Sequence, residues 1–451
     1  MKDGTSGKGW RSASPARRRA VEVLREVLER GGRASPLLAE RGAHLSGEDH
    51  DLLRHLVLGV LRHKDALDAE LSRACRIPWK KLAPSLREIL EVALYQVRNL
   101  ERVPAYAAVD EAVRQARASG GDGAGRLVNA ILRNILRAQP AGSAPSFDAA
   151  AADAGALARH FSHPDFLVGR WLHRFGRDRT LNLLASDNAP SGMDLMANPR
   201  RTDRPALAAA LAGEGIVTET SPISPLGLSV LSGNPLRSPL FSAGHFAIQD
   251  LASQALPLLL PEGDELVDLA AAPGGKSFSA LALGRARRVV SADRSPARLG
   301  RLVEASRRLG YPEAKPLAAD VTRLPLEGGR FERVLFDAPC SGTGTLRKNP
   351  EIRRRLSPSS IDRLARAQRE GLAAAAALLA PGGILLYATC SLEEEENERV
   401  VAAVLESAPG LVPAAIDAPP GLAPFVDGNR FRIFPGPTND GFTAHLLRRG
   451  A

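Results

Sequence analysis

Along residues 14–138 apolar positions recur at helical spacing, and the charged residues fall between them. The stretch SPARRRAVEVLREVLERGG shows the pattern: Ser14 is placed to cap, Pro15 to open the first turn, Val21, Leu24, Val27 and Leu28 share one face, and Gly31 stops the helix. EDHDLLRHLVLGVLRHKDALDAELSRA, SLREILEVALYQVRNL, AYAAVDEAVRQARA and GRLVNAILRNILRA repeat it, so residues 1–138 predict an all-helical domain. QPAGSAPSFD, residues 139–148, breaks the periodicity, and residues 139–159 read as a linker. Residues 160–245 mix one helical stretch, RPALAAALAGEG, with Pro-rich loops and read as a small α/β connector. From residue 246 to 451 short apolar runs alternate with helices: ELVDLAA then KSFSALALG, RVVSAD then SPARLGRLVEASRRLG, FERVLFDAP, and GGILLYAT then EEENERVVAAVLESA. Alternation of this kind predicts βαβ units in a doubly wound, mainly parallel sheet, whose ligands bind beyond the carboxyl ends of the strands.

Composition narrows this picture only a little. The 451 residues suffice for two or three compact units, and 44% hydrophobic with 24% charged residues is ordinary for a globular chain. The longest apolar run, GLAAAAALLAPGGILLYAT, is interrupted by Pro381, Gly382 and Gly383, so no membrane span is expected. The first residues are basic and polar, without the apolar stretch of a secretion signal, which points to the cytoplasm. Three cysteines, Cys75, Cys340 and Cys390, none in a C-x-x-C pair, exclude a disulfide framework and a cysteine zinc site; no metal is expected. The net charge of +10 suits a polyanionic partner, although with eight lysines the excess is arginine and composition bias would produce it too.

The first predicted strand runs into VDLAAAPGGKS, residues 267–277. A phosphate-binding loop needs a glycine where Ala270 stands, and the dinucleotide pattern G-x-G-x-x-G is also broken. What remains is a turn that lets backbone approach a ligand, followed by an acid, Asp293, 18 residues after Gly275, at the interval that brings a carboxylate to ribose hydroxyls. Asp320 and Asp337 end two further predicted strands, and Asp268 either caps the turn or belongs to the site. A ribose-bearing ligand with no need for phosphate suggests S-adenosylmethionine.

DAPCSGTG, residues 337–344, and ATCSL, residues 388–392, each set a cysteine directly after a predicted buried strand, on the ligand side of the sheet. A single free cysteine is usually an inert core residue; two of three at the same end of one sheet favour chemistry. Addition of a thiolate to C6 of cytosine turns C5 into a nucleophile able to take a methyl group from a sulfonium, and loss of the C5 proton then expels the enzyme. Cys390 or Cys340 could supply the thiolate, and Asp337 is placed to hold the N3 edge of the base.

With these motifs the chain resembles the RNA cytosine-5 methyltransferases that include the bacterial small-subunit (16S) ribosomal RNA enzyme and its eukaryotic nucleolar relatives. GHFAIQDLASQ and PGPTNDGFTAHLLRR resemble the opening and closing segments of their catalytic domain, and the helical region, with LVLGVLRHKDALD and PAYAAVDEAVRQA, is similar to a NusB-type RNA-binding domain. The resemblance implies a multidomain chain, an all-α NusB-like domain and a Rossmann-like methyltransferase domain joined by the connector. It implies Cys390 as the nucleophile and Cys340 as the thiol that assists release. It also implies a donor site for S-adenosylmethionine made of Ala270, Ala271, Ala272, Pro273, Gly274, Gly275, Lys276, Asp293, Asp320 and Asp337, with small-subunit ribosomal RNA as partner and a monomeric enzyme. A transfer RNA substrate, a DNA cytosine-5 methyltransferase and a non-catalytic RNA-binding factor are the alternatives. The acid run at residues 393–396 is expected to cap the next helix without a catalytic role. RKNPEIRRR, residues 347–355, is expected to offer Arg347, Lys348, Arg353, Arg354 and Arg355 to RNA phosphates; with aromatics at 4%, shape and phosphate recognition should outweigh base stacking.

Overall fold

The structure is a computed structural model that describes residues 14–138 and 147–450. Two compact units divide the chain: the first runs to Asn188 and includes Leu346–Leu356, and the second comprises Ala189–Thr345 and Ser357–Ala451.

The first unit is helical. Pro15–Arg30, Gly47–Ala74, Pro84–Asn99 and Ala105–Ala138 appear where the periodicity placed helices, the last one joining two expected stretches across a kink at Gly121, and Ala34–Gly42 is an additional helix. Val21, Leu24 and Val27 are buried in a core shared with Leu56, Val60, Leu90, Ile131 and Leu132. Ser14 does stand before the first helix, but its side chain caps nothing; its backbone N–H instead donates to Glu111 Oε1 at 2.7 Å. The proposed linker lies outside the described residues at 139–146. From Asp153 the chain is helical again, since that carboxylate accepts from the Ala156 N–H and starts Ala154–Phe161. Asp165–Phe175 and Arg177–Asn188 follow, so the first part of the expected α/β connector belongs with the helices.

The basic segment 347–355 also belongs to this unit, and here the expectation of an RNA-facing run needs correction. Arg347 and Arg353 are each only 2% exposed. The guanidinium of Arg353 donates to the carbonyl of Arg62 (2.9 Å), to Asn188 Oδ1 (2.8 Å) and to the Asp187 carbonyl (2.9 Å), with the Phe161 and Ser162 carbonyls at 3.3 and 3.4 Å. The Phe161, Ser162 and Asp187 carbonyls crowd at the carboxyl ends of two helices, where unsatisfied carbonyls and the helix dipole both favour a cation, while Arg62 lies within Gly47–Ala74. Arg354 is held by Asp65 in a two-pronged pair at 2.6 and 2.8 Å, and the carbonyl of Arg347 accepts from Arg62 at 2.8 and 3.2 Å. Arg355 is exposed and Lys348 half-buried.

The second unit contains two sheets. The smaller is antiparallel, in the order β2 (Val217–Thr220), β3 (Gly227–Ser232), β1 (Met193–Ala197), β4 (Phe246–Ile248), with the helix Arg204–Gly213 against it. In the larger, β7 (Ala314–Ala318), β6 (Arg288–Asp293), β5 (Glu265–Leu269), β8 (Phe331–Asp337) and β9 (Leu379–Thr389) are parallel neighbours in that order. On the far side of β9 lie β13 (Phe442–Arg449), antiparallel to it, then β12 (Arg430–Ile433) and β11 (Val426–Asp427), while β10 (Leu411–Pro413) pairs with β13. The expected doubly wound sheet is present with an antiparallel flank. Val267, Leu269, Val334, Leu335, Leu385 and Leu386 are all fully buried, as unbroken apolar runs covered on both faces require. The chain winds from β5 outward to β7, then returns to β8 beside β5, so the crevice between the ends of β5 and β8 is the switch point where such sheets take their ligands. Among the described residues no helix is long and apolar enough to cross a membrane.

Candidate active site

The Gly-rich turn leaves β5 at Ala270, whose φ of 61° is left-handed. That conformation costs an alanine ~1–2 kcal/mol, the kind of strain found where backbone must meet a ligand. The turn is held from β6: Ala271 N–H donates to the Ala292 carbonyl at 2.8 Å and Ala272 N–H to Asp293 Oδ2 at 3.2 Å. Ala272–Pro273 is a cis peptide. Gly274, at φ 109°, opens the helix Gly275–Ala282; a Cβ there would come within 2.5 Å of the Phe278 ring, so only glycine fits. No side chain caps this helix, which leaves its first N–H groups available to an anionic ligand group.

Three acids surround the turn in different ways. Asp293 is 2% exposed and holds the turn itself, with Ser295 N–H on its other oxygen at 2.9 Å and Arg298 at 3.3 Å. Asp268 is fully buried beneath the turn and accepts from Ser277 Oγ at 2.6 Å; burial, only partly opposed by that bond, pushes its carboxyl up to about 7. It ties β5 to the following helix and does not cap the turn. Asp320 stands exposed past β7, where it accepts from the Thr322 N–H and hydroxyl; those bonds hold its carboxyl below the usual range.

Lys276 reaches from the helix to Asp337 at the end of β8, Nζ to Oδ2 2.6 Å, with the Phe442 ring 5.2 Å away. Burial works against the ammonium, yet Asp337 above all, with Asp268 and Cys390 nearby, raises it above its ordinary value, so Lys276 is a fixed cation. Three residues after Asp337 comes Cys340, and its Sγ lies 3.2 Å from Cys390 Sγ, just past β9. The two thiols are half-buried and unbonded. The Cys390 sulfur as hydrogen-bond partner, then burial, drives the Cys340 thiol well above its ordinary value.

The structure therefore brings Lys276, Asp337, Cys340 and Cys390 together at the switch point, sets Asp293 under the turn, and leaves Asp320 at the rim. It also shows what the sequence reading missed. The loops that carry the two cysteines are joined by Gly344 N–H to the Cys390 carbonyl (2.9 Å) and Leu392 N–H to Thr343 Oγ1 (2.9 Å). The last strand enters here as well: Gly441 N–H donates to the Gly344 carbonyl at 2.7 Å and Thr443 Oγ1 to the Ser391 carbonyl at 3.1 Å. A Cβ on Gly344 would lie 2.3 Å from the Gly441 carbonyl oxygen, so this contact also needs glycine. The acid run does not cap the next helix, which follows Asn397 with no side-chain cap; Glu393 and Glu396 are buried and Glu396 binds both cysteine loops. Among the described residues no group of His, Cys, Asp and Glu is arranged to hold a metal ion.

Comparison with known proteins agrees with this arrangement. The family model described as 16S rRNA methyltransferase RsmB/F matches residues 255–448, that of the NusB family residues 14–137, and the ferredoxin-like domain of RsmF/B-like methyltransferases residues 163–237. "Probable ribosomal RNA small subunit methyltransferase B" of Bacillus subtilis (strain 168) is 33% identical over 92% of this chain and 94% of its own length. "Ribosomal RNA small subunit methyltransferase B" of Vibrio vulnificus (strain YJ016) is 33% identical over 86% of this chain and 90% of its own. The crystal structure of PH0851 superposes with a TM-score of 0.79 at 25% identity, covering 97% of this chain and 99% of that one. With full-length relatives at this identity and the methyltransferase model lying over the two-cysteine site, the chain belongs to the RsmB/F family of 16S rRNA methyltransferases.

Proposed function

We propose that this protein methylates C5 of a cytosine in small-subunit ribosomal RNA, with S-adenosylmethionine as donor and through a covalent bond between Cys390 and C6. The observation that carries the reading is the pair of thiols 3.2 Å apart at the ends of adjacent strands, beside the Lys276–Asp337 pair. The strained turn and the uncapped helix start at 274–275 fit a donor whose amino-acid end carries a carboxylate, and Asp293 at the end of β6 and Asp320 past β7 are the acids assigned to its ribose and base. When bound, S-adenosylmethionine supplies an electrophilic methyl group.

The residues then divide the work. Asp337, oriented by Lys276, holds the N3 edge of the base. Cys390 as thiolate adds to C6, which makes C5 an enamine carbon able to accept the methyl group. After transfer the C5 proton leaves to a base, the C6–S bond breaks, and its electron pair returns to the Cys390 sulfur. Cys340, still protonated, lies at hydrogen-bond distance to stabilise that departing sulfur. The base must leave its stack to reach this crevice.

The decisive experiment follows labelled RNA and labelled donor on denaturing gels. Cys390→Ala is expected to abolish both methylation and the covalent complex. Cys340→Ala is expected to form a methylated complex and release it slowly. An adduct that survives Cys390→Ala and disappears in Cys340→Ala would reassign the nucleophile. Offering small-subunit ribosomal RNA and transfer RNA in parallel, with methylated cytosines mapped in each, tests the substrate.

A further inference from the structure

Glu396 is fully buried, although it closes a run of four glutamates of which Glu394 and Glu395 remain partly exposed. Four donors converge on its carboxylate. Oε1 takes the Ser341 N–H (2.8 Å) and Gln368 Nε2 (3.0 Å); Oε2 takes the hydroxyls of Ser391 (2.6 Å) and Ser341. Ser341 follows Cys340 and Ser391 follows Cys390, so one side chain grips the neighbour of each thiol. The surrounding bonds make the grip rigid. Gln368 also donates to the Pro339 carbonyl at 2.9 Å, on the other side of Cys340. Tyr387 donates its hydroxyl to the Glu396 carbonyl at 2.6 Å, and Asn397 takes the Thr389 hydroxyl (2.7 Å) while donating to the Ser391 carbonyl (3.1 Å). A buried carboxylate is costly unless several donors satisfy it, and here three of the four come from the two loops that must meet and the fourth from Gln368 of the helix Pro358–Ala377.

We propose that Glu396 is a positioning residue that clamps the two cysteine loops together and thereby sets the separation of the Cys340 and Cys390 sulfurs. The clamp deepens the methyltransferase reading and rests on it for the chemistry, but not for the geometry. Its charge has a second effect. After the Cys390 contact and burial, Glu396 is among the groups that keep the Cys340 thiol protonated, as a thiol assisting release must be.

The test needs no RNA. In a protein carrying Cys75→Ser, diamide removes two electrons and two protons from Cys340 and Cys390 and joins them as a disulfide, followed as loss of free thiol. Glu396→Ala is expected to slow closure by about tenfold or more, since small displacements of paired reactive groups are costly. Glu396→Gln, which keeps the side-chain length and one acceptor oxygen, is expected to restore most of the rate. With Cys75→Ser and Cys390→Ser together, the pH profile of Cys340 alkylation by iodoacetamide should move to lower pH in both Glu396 variants, because a nearby negative charge has gone; a role in folding alone would not move it. A folded Glu396→Ala protein that closes the disulfide at the wild-type rate and keeps the alkylation profile overturns the proposal. If Glu396→Ala does not fold, Ser341→Ala removes one of the four bonds and is expected to slow closure by about threefold; an unchanged rate there overturns it equally. Fast closure in the wild type without any RNA adduct would sink the cytosine reading and leave the clamp standing.

Discussion

Two charged runs, RKNPEIRRR at 347–355 and EEEE at 393–396, look alike in sequence, each dense in one sign. In the molecule both turn key members inward, to opposite ends. Arg353 gathers carbonyl oxygens from two helix ends and from the middle of a third helix, and its task is to hold the helical unit together. Glu396 gathers N–H and O–H donors from two loops, and the object held is the spacing of two reactive sulfurs. A cation suits the first place because helix carboxyl ends present unpaired acceptors; an anion suits the second because loops leaving parallel strands present unpaired donors. The sign of a charge run thus says which kind of backbone end it can satisfy, and says little about whether it meets solvent.

The sharpest way to break the comparison is to remove Arg353. Arg353→Met leaves several carbonyls and the Asp187 carboxyl buried without their cation, and is expected to cost the helical unit roughly 3–5 kcal/mol, read by calorimetric unfolding. Donor affinity in the second unit should not change; if it does, the two runs do not have separate tasks. Asp293→Ala supplies the contrast, since it removes the carboxylate under the donor turn. It should weaken S-adenosylmethionine binding by about 1.5–3 kcal/mol in titration calorimetry, with unaltered affinity removing Asp293 from the site.

A smaller effect appears with pH. Burial pushes the Asp187 carboxyl up to about 7, against the pull of Arg353, from an ordinary value near 4. Between those values the folded state keeps a proton that the unfolded chain has lost, so stability should fall as pH rises from about 4 to about 7 and level off above. Scanning calorimetry across that range should show a flatter profile for Asp187→Asn. The smallest effects belong to the half-buried Lys348 and the exposed Arg355 of the basic run. Lys348→Ala and Arg355→Ala should change stability by less than about 0.5 kcal/mol, and each should lower the salt slope of RNA binding by at most about one. A larger loss of slope would return the run to the RNA surface.

What the sequence made legible was whatever local pattern encodes. The NusB-like helices, the alternating strands and the Gly-rich turn follow from spacing, and both cysteines stood out because each follows an apolar strand. The helix Asp165–Phe175 was overlooked although Leu167, Val168 and Trp171 share a buried face, because Pro164 directly before it reads as a loop residue. The fates of Arg353 and Glu396 had no local trace of this kind. Their partners come from residues 62, 161, 162, 187 and 188 in one case and 341, 368 and 391 in the other, and only the fold brings those together.

The entry of β13 into the cysteine loops has a consequence for synthesis. Gly441 and Thr443 bind both loops, yet they are translated about fifty residues after Cys390. At ~5–20 residues per second this delay lasts roughly 3–10 s, during which Glu396 can already join the two loops but β13 does not yet back them. The two thiol-bearing loops are thus joined to each other by residues made before the strand that completes the sheet beside them.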